Sequence, residues 1–348
     1  MNASNPPVNL YDLSRAGLGR LLAGWDYSDH HAGQVWSNLY RDLVETPEAM
    51  ANIRADLRQR LAAESTIGML PTRHAIDSSD GYTRKFLLGL ADGQAVETVL
   101  MYFRGRATAC VSTQVGCAMG CVFCATGQMG FLRHLTAGEI VAQVVYVARL
   151  LRKHGDILRN IVLMGMGEPL HNYDATMAAL DTLMNHKGMA MAPRFITLST
   201  VGVVPGIRRM TAERRPVRLA VSLHGATDED RQRLVPPARR WPLAELMDAC
   251  REYSATLRRG VFFEWTLIDG QNDSPEQAHA LGRLLQGMKA HVNLIPLNPT
   301  LGFDGRPTAR PEVKSFQAVL TGYGLPSTVR QRRGIDVAAG CGQLATAL

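Results

Sequence analysis

The sequence lacks the segments that would place it in or across a membrane. Its 348 residues contain no apolar run of 18, the length that a membrane-spanning helix needs. The first residues, MNASNPPVNLYDLSRAG, do not show the basic and then apolar pattern of a signal peptide. Repeats and low-complexity tracts are also absent from the sequence. We therefore expect a folded cytoplasmic protein without a membrane partner.

Cysteine is scarce as well, with 6 residues in the chain. In a reducing compartment, so few cysteines favour metal binding or catalysis over a disulfide scaffold. Three of them, Cys117, Cys121 and Cys124, fall within the octapeptide CAMGCVFC. A structural zinc site takes four ligands, and His134 is near enough in sequence to be the fourth. Three cysteines without a second pair favour instead a [4Fe–4S] cluster with one iron open to another ligand.

Lysine contributes little to the positive charge, which is carried mainly by arginine. The net charge is +7 and the isoelectric point is near 9.2. Arginine pairs stand at 208–209, 214–215, 239–240, 258–259 and 332–333. Arginine suits bidentate phosphate contacts and stacking on bases, which favours a nucleic-acid partner. A solvated basic surface without a nucleic-acid partner would account for the same charge equally well.

Two kinds of pattern divide the first third of the chain. Residues 1–70 are predicted to form a helical domain, since SRAGLGRLLAGW and TPEAMANIRADLRQRLAAE each follow a helical period and open with a Ser or Thr cap. Residues 71–106 contain two Asp-Gly turns between apolar runs. That arrangement predicts a small β extension built from hairpins.

The rest of the chain alternates short apolar runs with helix-like stretches. The runs are TACVSTQVG, NIVLMGMG, RFITLSTVG, VRLAVSLHG, GVFFEWTLIDG and HVNLIPLNP. Such alternation predicts βα units on a parallel sheet, and Thr136 with Glu139 forms a capping box for one of the helices. We expect an α/β fold, a partial (β/α)6 barrel over residues 107–330, with an open doubly wound sheet as the alternative. Residues 331–348 would form a C-terminal loop.

Small and polar residues follow the predicted strands and converge on one rim, because parallel strands end at the same edge of a sheet. Together with the cysteine loop they resemble radical S-adenosylmethionine (SAM) enzymes, which hold a [4Fe–4S] cluster through a C-x3-C-x2-C motif. From about residue 90 to 345 the chain resembles the RlmN/Cfr family in particular. The matching segments are CVSTQVGCAMGCVFCATGQMGFLRHLTAGEIVAQV, GMGEPLHNYD, LSTVGVVPGI, VSLHG, NLIPLNP and GCGQL.

The resemblance implies methylation of an adenine ring carbon in ribosomal RNA, with transfer RNA as a further substrate. GMGEP is typical of the RlmN branch, which methylates C2, whereas GID at 334–336 is closer to Cfr and C8.

The resemblance also implies that each turnover uses two SAM molecules. One methylates Cys341, and the second gives a deoxyadenosyl radical that activates the S-methyl group for addition to adenine. Cys110 then attacks Cys341, forming a disulfide and releasing the base. Cys250 has helical spacing typical of core packing.

Further roles are implied by matching positions. Glu97 corresponds to the family's proton acceptor, although the sequence alone gives it no preference over Glu264. The predicted SAM contacts are Gly167, Glu168, Ser199, Ser222, Leu223, His224 and Asn298. The predicted RNA contacts are Arg330, Arg332 and Arg333. We expect a monomer that receives electrons from a donor such as flavodoxin. The competing hypotheses are the same chemistry on a non-RNA substrate and a zinc-binding nucleic-acid module.

Overall fold

The computed structural model describes residues 7–346. The N-terminal helices are α1 (Arg15–Ala23), α2 (Asp29–Ser37) and α3 (Ala55–Glu64), and two short parallel strands, β1 (Val8–Asn9) and β2 (Ser65–Thr66), pair beside them. Ser14 caps α1, since its hydroxyl oxygen accepts from the Gly17 amide at 3.0 Å. This helix and its cap are where the sequence predicts them.

The second predicted N-terminal helix begins later than expected. The sequence predicts a helix that follows a Thr46 cap, but a 3-10 turn occupies Pro47–Ala49 and α3 begins only at Ala55. The difference has a tertiary cause. The Asn52 side-chain oxygen accepts from Asn38 Nδ2 at 2.6 Å, which ties the intervening backbone to the preceding helical segment.

The central sheet has ten strands, and it is parallel over most of its width. Its strands are β3 (Thr72–Asp77), β4 (Thr83–Gly89), β5 (Ala95–Phe103), β6 (Arg106–Cys110), β9 (Leu158–Leu163), β10 (Ile196–Thr200), β11 (Arg218–Ser222), β12 (Val261–Leu267), β13 (Ala290–Pro296) and β14 (Ser327–Val329). They lie in the order β14-β13-β12-β11-β10-β9-β6-β5-β4-β3. From β6 onward the pairing is parallel, so the six predicted βα strands are confirmed.

The three strands of the β extension are antiparallel and continue this same sheet through the β5–β6 pairing. Outside the sheet, β7 (Gln114–Gly116) pairs with β8 (Phe131–His134) and frames the cysteine loop. The sheet order is open at β3 and β14 rather than closed on itself. The predicted α/β fold with a mostly parallel sheet is confirmed.

Helices follow the parallel strands as the alternating pattern predicts. They are α4 (Ala125–Gln128), α5 (Ala137–Lys153), α6 (Tyr173–Met184), α7 (Val204–Ala212), α8 (Asp228–Leu234), α9 (Leu243–Leu257), α10 (Pro275–Leu285) and α11 (Arg310–Gly322). The capping box of α5 is present, with Thr136 and Glu139 each bonding the other's backbone amide. Across residues 7–346, none of the helices has the length and apolar character needed to cross a bilayer.

The N-terminal helical part is fastened to the outside of the sheet through α5. Arg149 is buried, and its Nε donates to the Leu43 carbonyl oxygen at 2.7 Å while Nη2 donates to the Tyr11 hydroxyl at 3.0 Å. At the start of the same helix, the Gly138 amide donates to Asp12 Oδ1 at 2.7 Å. Buried hydrogen bonds to a charged group hold two segments firmly, so this part has a fixed place beside the barrel.

Candidate active site

The cysteine loop begins where the backbone requires glycine. Gly116 has a φ of +73°, in the left-handed region, and a Cβ there would lie 2.0 Å from the Gly130 carbonyl oxygen. The Cys117 amide donates to that same oxygen at 2.8 Å, which turns the chain into the loop. At the far end, the Cys124 amide donates to the Cys121 carbonyl oxygen at 3.1 Å and leads into α4. The loop is therefore held at both ends by its own backbone.

All three cysteines line a cavity of about 140 Å³, which we call the cluster cavity. Its other walls come mainly from the carboxyl ends of the parallel strands. They include Gly167, Glu168, Ser199, Ser222, His224, Glu264, Thr266 and Cys341. The structure thus brings five of the predicted SAM contacts to the cavity that holds the three thiols. This is the convergence that a parallel sheet predicts for its strand ends.

Glu168 is the most deeply placed carboxylate of the cluster cavity, with 2% of its surface exposed. Its Oε1 accepts from the Leu170 amide at 3.0 Å and its Oε2 from the Val201 amide at 2.8 Å. Burial raises the pKa of Glu168 to about 7, although both hydrogen bonds act in the opposite direction. Gly167, with a φ of +100°, allows close packing, since a Cβ there would lie 2.5 Å from Gln114 Cβ. A fixed carboxylate of this kind suits a cationic amino group.

His224 is a neutral polar group in the same cavity. Burial lowers the pKa of its imidazole to about 3, and its Nδ1 accepts from the Thr266 amide at 2.9 Å. Its ring packs edge-on against Phe123 with 4.9 Å between centroids. Leu223, also a predicted SAM contact, is fully buried and does not line the cavity. Its amide donates to the Glu264 carbonyl oxygen at 3.0 Å, so that backbone donor is already bonded.

The C-terminal segment folds back onto the cysteine loop and carries Cys341 into the site. The Gly342 carbonyl oxygen accepts from the Ala125 amide at 2.7 Å, directly after the third cysteine of the loop. On the other side, Asn298 Nδ2 donates to the Cys341 carbonyl oxygen at 3.0 Å. Asn298, a predicted SAM contact, therefore positions this segment and does not line the cluster cavity.

A second cavity, which we call the inner cavity, has a volume of about 480 Å³ and lies inside the barrel strands. Cys110, at the end of β6, lines it, and burial raises the pKa of this thiol. Cys341 lines both cavities, together with Met164, Glu264 and Ile295. The structure thus places Cys341 in the shared wall and brings the two lone cysteines of the predicted mechanism to one cavity.

The two carboxylates considered as proton acceptors have different surroundings. Glu264 lines both cavities; its Oε1 accepts from Asn293 Nδ2 at 2.8 Å, and its Oε2 is buried without a hydrogen-bond partner among the described residues. Glu97 does not line either cavity. Its Oε1 pairs with Lys85 Nζ at 2.8 Å and its Oε2 accepts from the Ala345 amide at 2.8 Å. Burial raises the pKa of Glu97, while Lys85 opposes the rise.

The predicted RNA contacts Arg330, Arg332 and Arg333 all line the inner cavity. Arg330 turns inward, and its Nη2 lies 3.3 Å from Glu264 Oε1. The Arg333 guanidinium packs against Tyr82 and Phe103, at 4.8 and 4.7 Å from the ring centroids. Arg332 is exposed. Of the three, Arg332 has the most open side chain, whereas the other two are engaged within the protein.

Two other arginine clusters are paired with acidic side chains. Arg209 binds Asp174 and Glu213 at 2.7 and 2.8 Å, and Arg215 binds Asp181 at 2.8 Å. These ion pairs neutralise much of the charge that the sequence assigns to this surface. The inner cavity, by contrast, is lined by several arginines and a single carboxylate. Unbalanced positive charge therefore lies closer to the two lone cysteines than to this outer helix.

Sequence reasoning missed the polar side chains inside the barrel strands. Asn160, Thr197, Arg218 and Asn293 belong to four different parallel strands and line the inner cavity. Thr197, Arg218 and Asn293 each stand between two apolar residues. Residues two apart along a strand point to the same face, so polar residues at inward positions reveal a polar cavity. That period of two is the signal that would have found them.

The cluster cavity fits a [4Fe–4S] cluster with SAM beside it. It offers three thiols from one fixed loop, the Glu168 carboxylate for an amino group, and the hydroxyls of Ser199 and Ser222 for other polar groups. Within the described part of the chain, no group of three or more His, Cys, Asp or Glu side chains is arranged so that it could hold a single metal ion. His134, considered as a zinc ligand, does not line this cavity, and its Nδ1 lies 3.0 Å from Gln114 Nε2.

Comparison with known proteins agrees with this geometry. The family model of the radical SAM superfamily matches residues 111–281, and that of the ribosomal RNA large subunit methyltransferase N-terminal domain matches residues 8–67. Dual-specificity RNA methyltransferase RlmN 1 of Myxococcus xanthus is 61% identical over 341 residues, which cover 98% of this chain and 95% of that protein. The chain belongs to the RlmN/Cfr family.

Other relatives match over nearly their full length. Ribosomal RNA large subunit methyltransferase N of Nitrosopumilus maritimus is 42% identical, covering 97% of this chain and 99% of the relative. The crystal structure of a radical SAM methyltransferase from Sphaerobacter thermophilus is 47% identical, with a TM-score of 0.94 over 97% of this chain and 99% of that one. The predicted enzyme class is thus confirmed, and membership in the radical SAM superfamily implies a [4Fe–4S] cluster and the use of SAM.

Proposed function

We propose that this RlmN/Cfr enzyme methylates a ring carbon of adenine in RNA, at C2 rather than C8, with ribosomal RNA and transfer RNA as substrates. The names of its relatives support an RNA substrate: one is a dual-specificity RNA methyltransferase and another a ribosomal RNA large subunit methyltransferase. The matching N-terminal family model supports the same class of substrate. The enzyme would act as a monomer and take electrons from an external donor such as flavodoxin.

The cluster cavity would serve the cofactors. Cys117, Cys121 and Cys124 would hold the cluster, while the Glu168 carboxylate would bind the amino group of SAM. When bound, the cluster and two SAM per turnover supply the electron, the radical chemistry and the methyl group. The neutral His224 ring and the hydroxyls of the strand ends would orient the polar parts of SAM without adding charge.

The position of Cys341 is the observation that carries this proposal. An adenine carbon between two nitrogens is electron-poor and does not attack a methyl group, so covalent catalysis is needed to divide the reaction into feasible steps. A sulfur in the shared wall can accept a methyl group on the cluster side and present it to a base on the other. The hydrogen bonds from Ala125 and Asn298 hold the segment in that place.

The inner cavity would complete the reaction. A carboxylate takes the proton from the adenine carbon, and we assign this role to Glu97, because burial raises its pKa and so makes it a stronger proton acceptor. Its contact with Ala345 lies in the segment that carries Cys341, so movement of that segment would free it. The Cys110 sulfur then attacks the Cys341 sulfur and an S–S bond forms, while the bond from the Cys341 sulfur to the methylene carbon on the base breaks and that carbon takes a proton. The one electron left in the adduct would pass to the bound cluster. Arg330 favours the thiolate form of Cys110 against the effect of burial.

Labelled SAM tests the proposal. The reconstituted enzyme is incubated anaerobically with ribosomal RNA, transfer RNA and methyl-labelled SAM, and the RNA is digested to nucleosides. We expect label in 2-methyladenosine from the wild type and none from Cys341→Ala. Formation of deoxyadenosine without label in either RNA would contradict an RNA substrate and favour the same chemistry on another molecule. Label in 8-methyladenosine would contradict methylation at C2 but would leave the RNA substrate supported.

A further inference from the structure

Arg231 is a buried cation without a carboxylate partner. It lies on α8 with 1% of its surface exposed, and its Nη2 donates to the carbonyl oxygens of Val201 and Ser222. Its Nε is buried with no hydrogen-bond partner in the described part of the chain. The ion pairs formed between residues 7 and 346 do not include it. A charge in such surroundings is costly unless an opposite charge lies near it.

The cysteine loop passes directly beside this cation. Val122, the residue after Cys121, donates its amide to the Leu234 carbonyl oxygen at 3.1 Å, which joins the loop to the end of α8. Both residues whose carbonyl oxygens bind Arg231 also line the cluster cavity. Arg231 itself does not line that cavity, so it stands behind the wall and out of reach of a ligand inside it.

No carboxylate forms an ion pair with Arg231 in the described part of the chain, and the nearby thiols of Cys121 and Cys250 carry no charge while they are protonated. Burial lowers the pKa of its guanidinium to about 10, and the groups that act in the opposite direction are Cys121, Cys250 and Asp228. Asp228 uses its Oδ1 to accept from the Leu243 amide at 2.6 Å, which closes the turn before α9. A cluster bound through three thiolates would bring the missing negative charge to the Cys121 side.

We propose that Arg231 is the fixed counter-charge of the [4Fe–4S] cluster and keeps its reduction potential high enough for the reaction. This rests on the proposed assignment of Cys117, Cys121 and Cys124 as its ligands. Reduction adds one electron to a buried and already negative group. A nearby cation stabilises the reduced form more than the oxidised form, and it acts strongly where solvent is excluded. Arg231 would act on the cluster through its charge alone, because its side chain does not line the cluster cavity.

The reduction potential of the cluster is the direct test. Arg231→Gln, reconstituted anaerobically without SAM or RNA, is titrated with reductant and followed by electron paramagnetic resonance. We expect the equilibrium constant for one-electron reduction to fall at least about tenfold, a shift of about 59 mV to lower potential. Arg231→Lys keeps the charge and should stay within about threefold of the wild type. Arg233→Gln, on the same helix with its side chain 65% exposed, should change nothing.

An unchanged potential in Arg231→Gln overturns the proposal, and so does an equal fall in Arg231→Lys, which would indicate a structural role. If Arg231→Gln does not retain the cluster, Cys250→Asp replaces it, with Cys250→Ser as control. A carboxylate beside Arg231 should neutralise it and lower the potential as well, and an unchanged potential again overturns the proposal. A wild-type protein that binds no cluster would contradict the proposed function, whereas failure to methylate RNA would leave this test intact.

Discussion

The cluster cavity and the inner cavity share Cys341 and one stretch of wall, yet their linings differ in chemistry. The first is lined by thiols, small residues, hydroxyls, two carboxylates and a neutral imidazole, and most of these lie at or just after the carboxyl ends of strands. The second is lined by arginines and asparagines that lie within or beyond the strands. The proposed function accounts for this difference, since it assigns the strand ends to the cofactors and the strand interiors to a polar substrate. Cys341 is the thiol that lines both.

The largest expected effect falls on the cofactor side. Cys121→Ala removes one of three cluster ligands, so we expect no brown colour after reconstitution, no deoxyadenosine from SAM, and a loss of RNA methylation above about a thousandfold. Cys250→Ala is the matched control, since that cysteine is also buried but packs in α9. A variant at Cys121 that retained the cluster and cleaved SAM would remove the basis for calling this the cofactor cavity.

On the substrate side, Cys110→Ala should separate the two cavities functionally. We expect the variant to cleave SAM as the wild type does, because the cluster cavity is untouched. Release of methylated RNA should fall at least about a hundredfold, since no thiol remains to attack Cys341. Protein covalently joined to RNA should accumulate and be seen as a slow band on a denaturing gel. Normal turnover of this variant would show that the thiol of Cys110 has no part in release.

Substitution of either of the two carboxylates is expected to slow base methylation by a smaller factor and to leave SAM cleavage intact. Glu97→Gln should lower base methylation by about 10² to 10⁴-fold, the range of general base catalysis, with SAM cleavage retained. Glu264→Gln should lower it less than tenfold, because Glu264 would position Arg330 and Asn293 without taking the proton. Single-turnover rates of base methylation measure both. The reverse order would make Glu264, which faces the inner cavity directly, the proton acceptor.

The smallest expected effect is the pH dependence of SAM binding in the cluster cavity. The pKa of Glu168 is raised to about 7, so its carboxylate becomes ionised as the pH rises through neutrality. We expect the Kd of SAM to fall up to about tenfold between pH 6 and 8, since the cationic amino group prefers the ionised form. Because this pKa lies above its usual value near 4.5, the same group makes folding less favourable as pH rises between the two values.

Calorimetric titration of the reconstituted enzyme with SAM measures the effect on binding. Glu168→Gln cannot ionise, so its affinity should be weak and independent of pH over the same range. A wild-type affinity that did not change between pH 6 and 8 would show that Glu168 does not bind the amino group of SAM. A change that persisted in Glu168→Gln would assign it to another group.

Local patterns predicted much of this molecule. The strand positions and the capping box at Thr136 depend on residues a few positions apart, and the cysteine loop depends on a short motif. Features that need distant contacts did not follow from the sequence. The start of α3 is set by the Asn52 contact with Asn38, and the position of Cys341 by the bond between Gly342 and Ala125. Such long-range pairs leave no periodic trace along the chain.

The same distinction holds among the predicted site residues. Those at the carboxyl ends of parallel strands, such as Ser199 and Ser222, line the cluster cavity as the strand ends predict. Asn298 bonds to the C-terminal segment, and Arg330 pairs with Glu264 inside the barrel, because each side chain meets a partner from a remote part of the chain. Their orientation depends on tertiary packing, which residue type and order alone do not determine.

The central claim is that Cys341 carries the methyl group from one cavity to the other, and mass analysis of its peptide tests this most directly. The reconstituted enzyme is incubated with SAM in the absence of RNA, digested and analysed. We predict one added methyl group on Cys341 in the wild type and in Cys110→Ala, and none on any other cysteine. An unmodified Cys341 in enzyme that holds its cluster and methylates RNA would contradict the account.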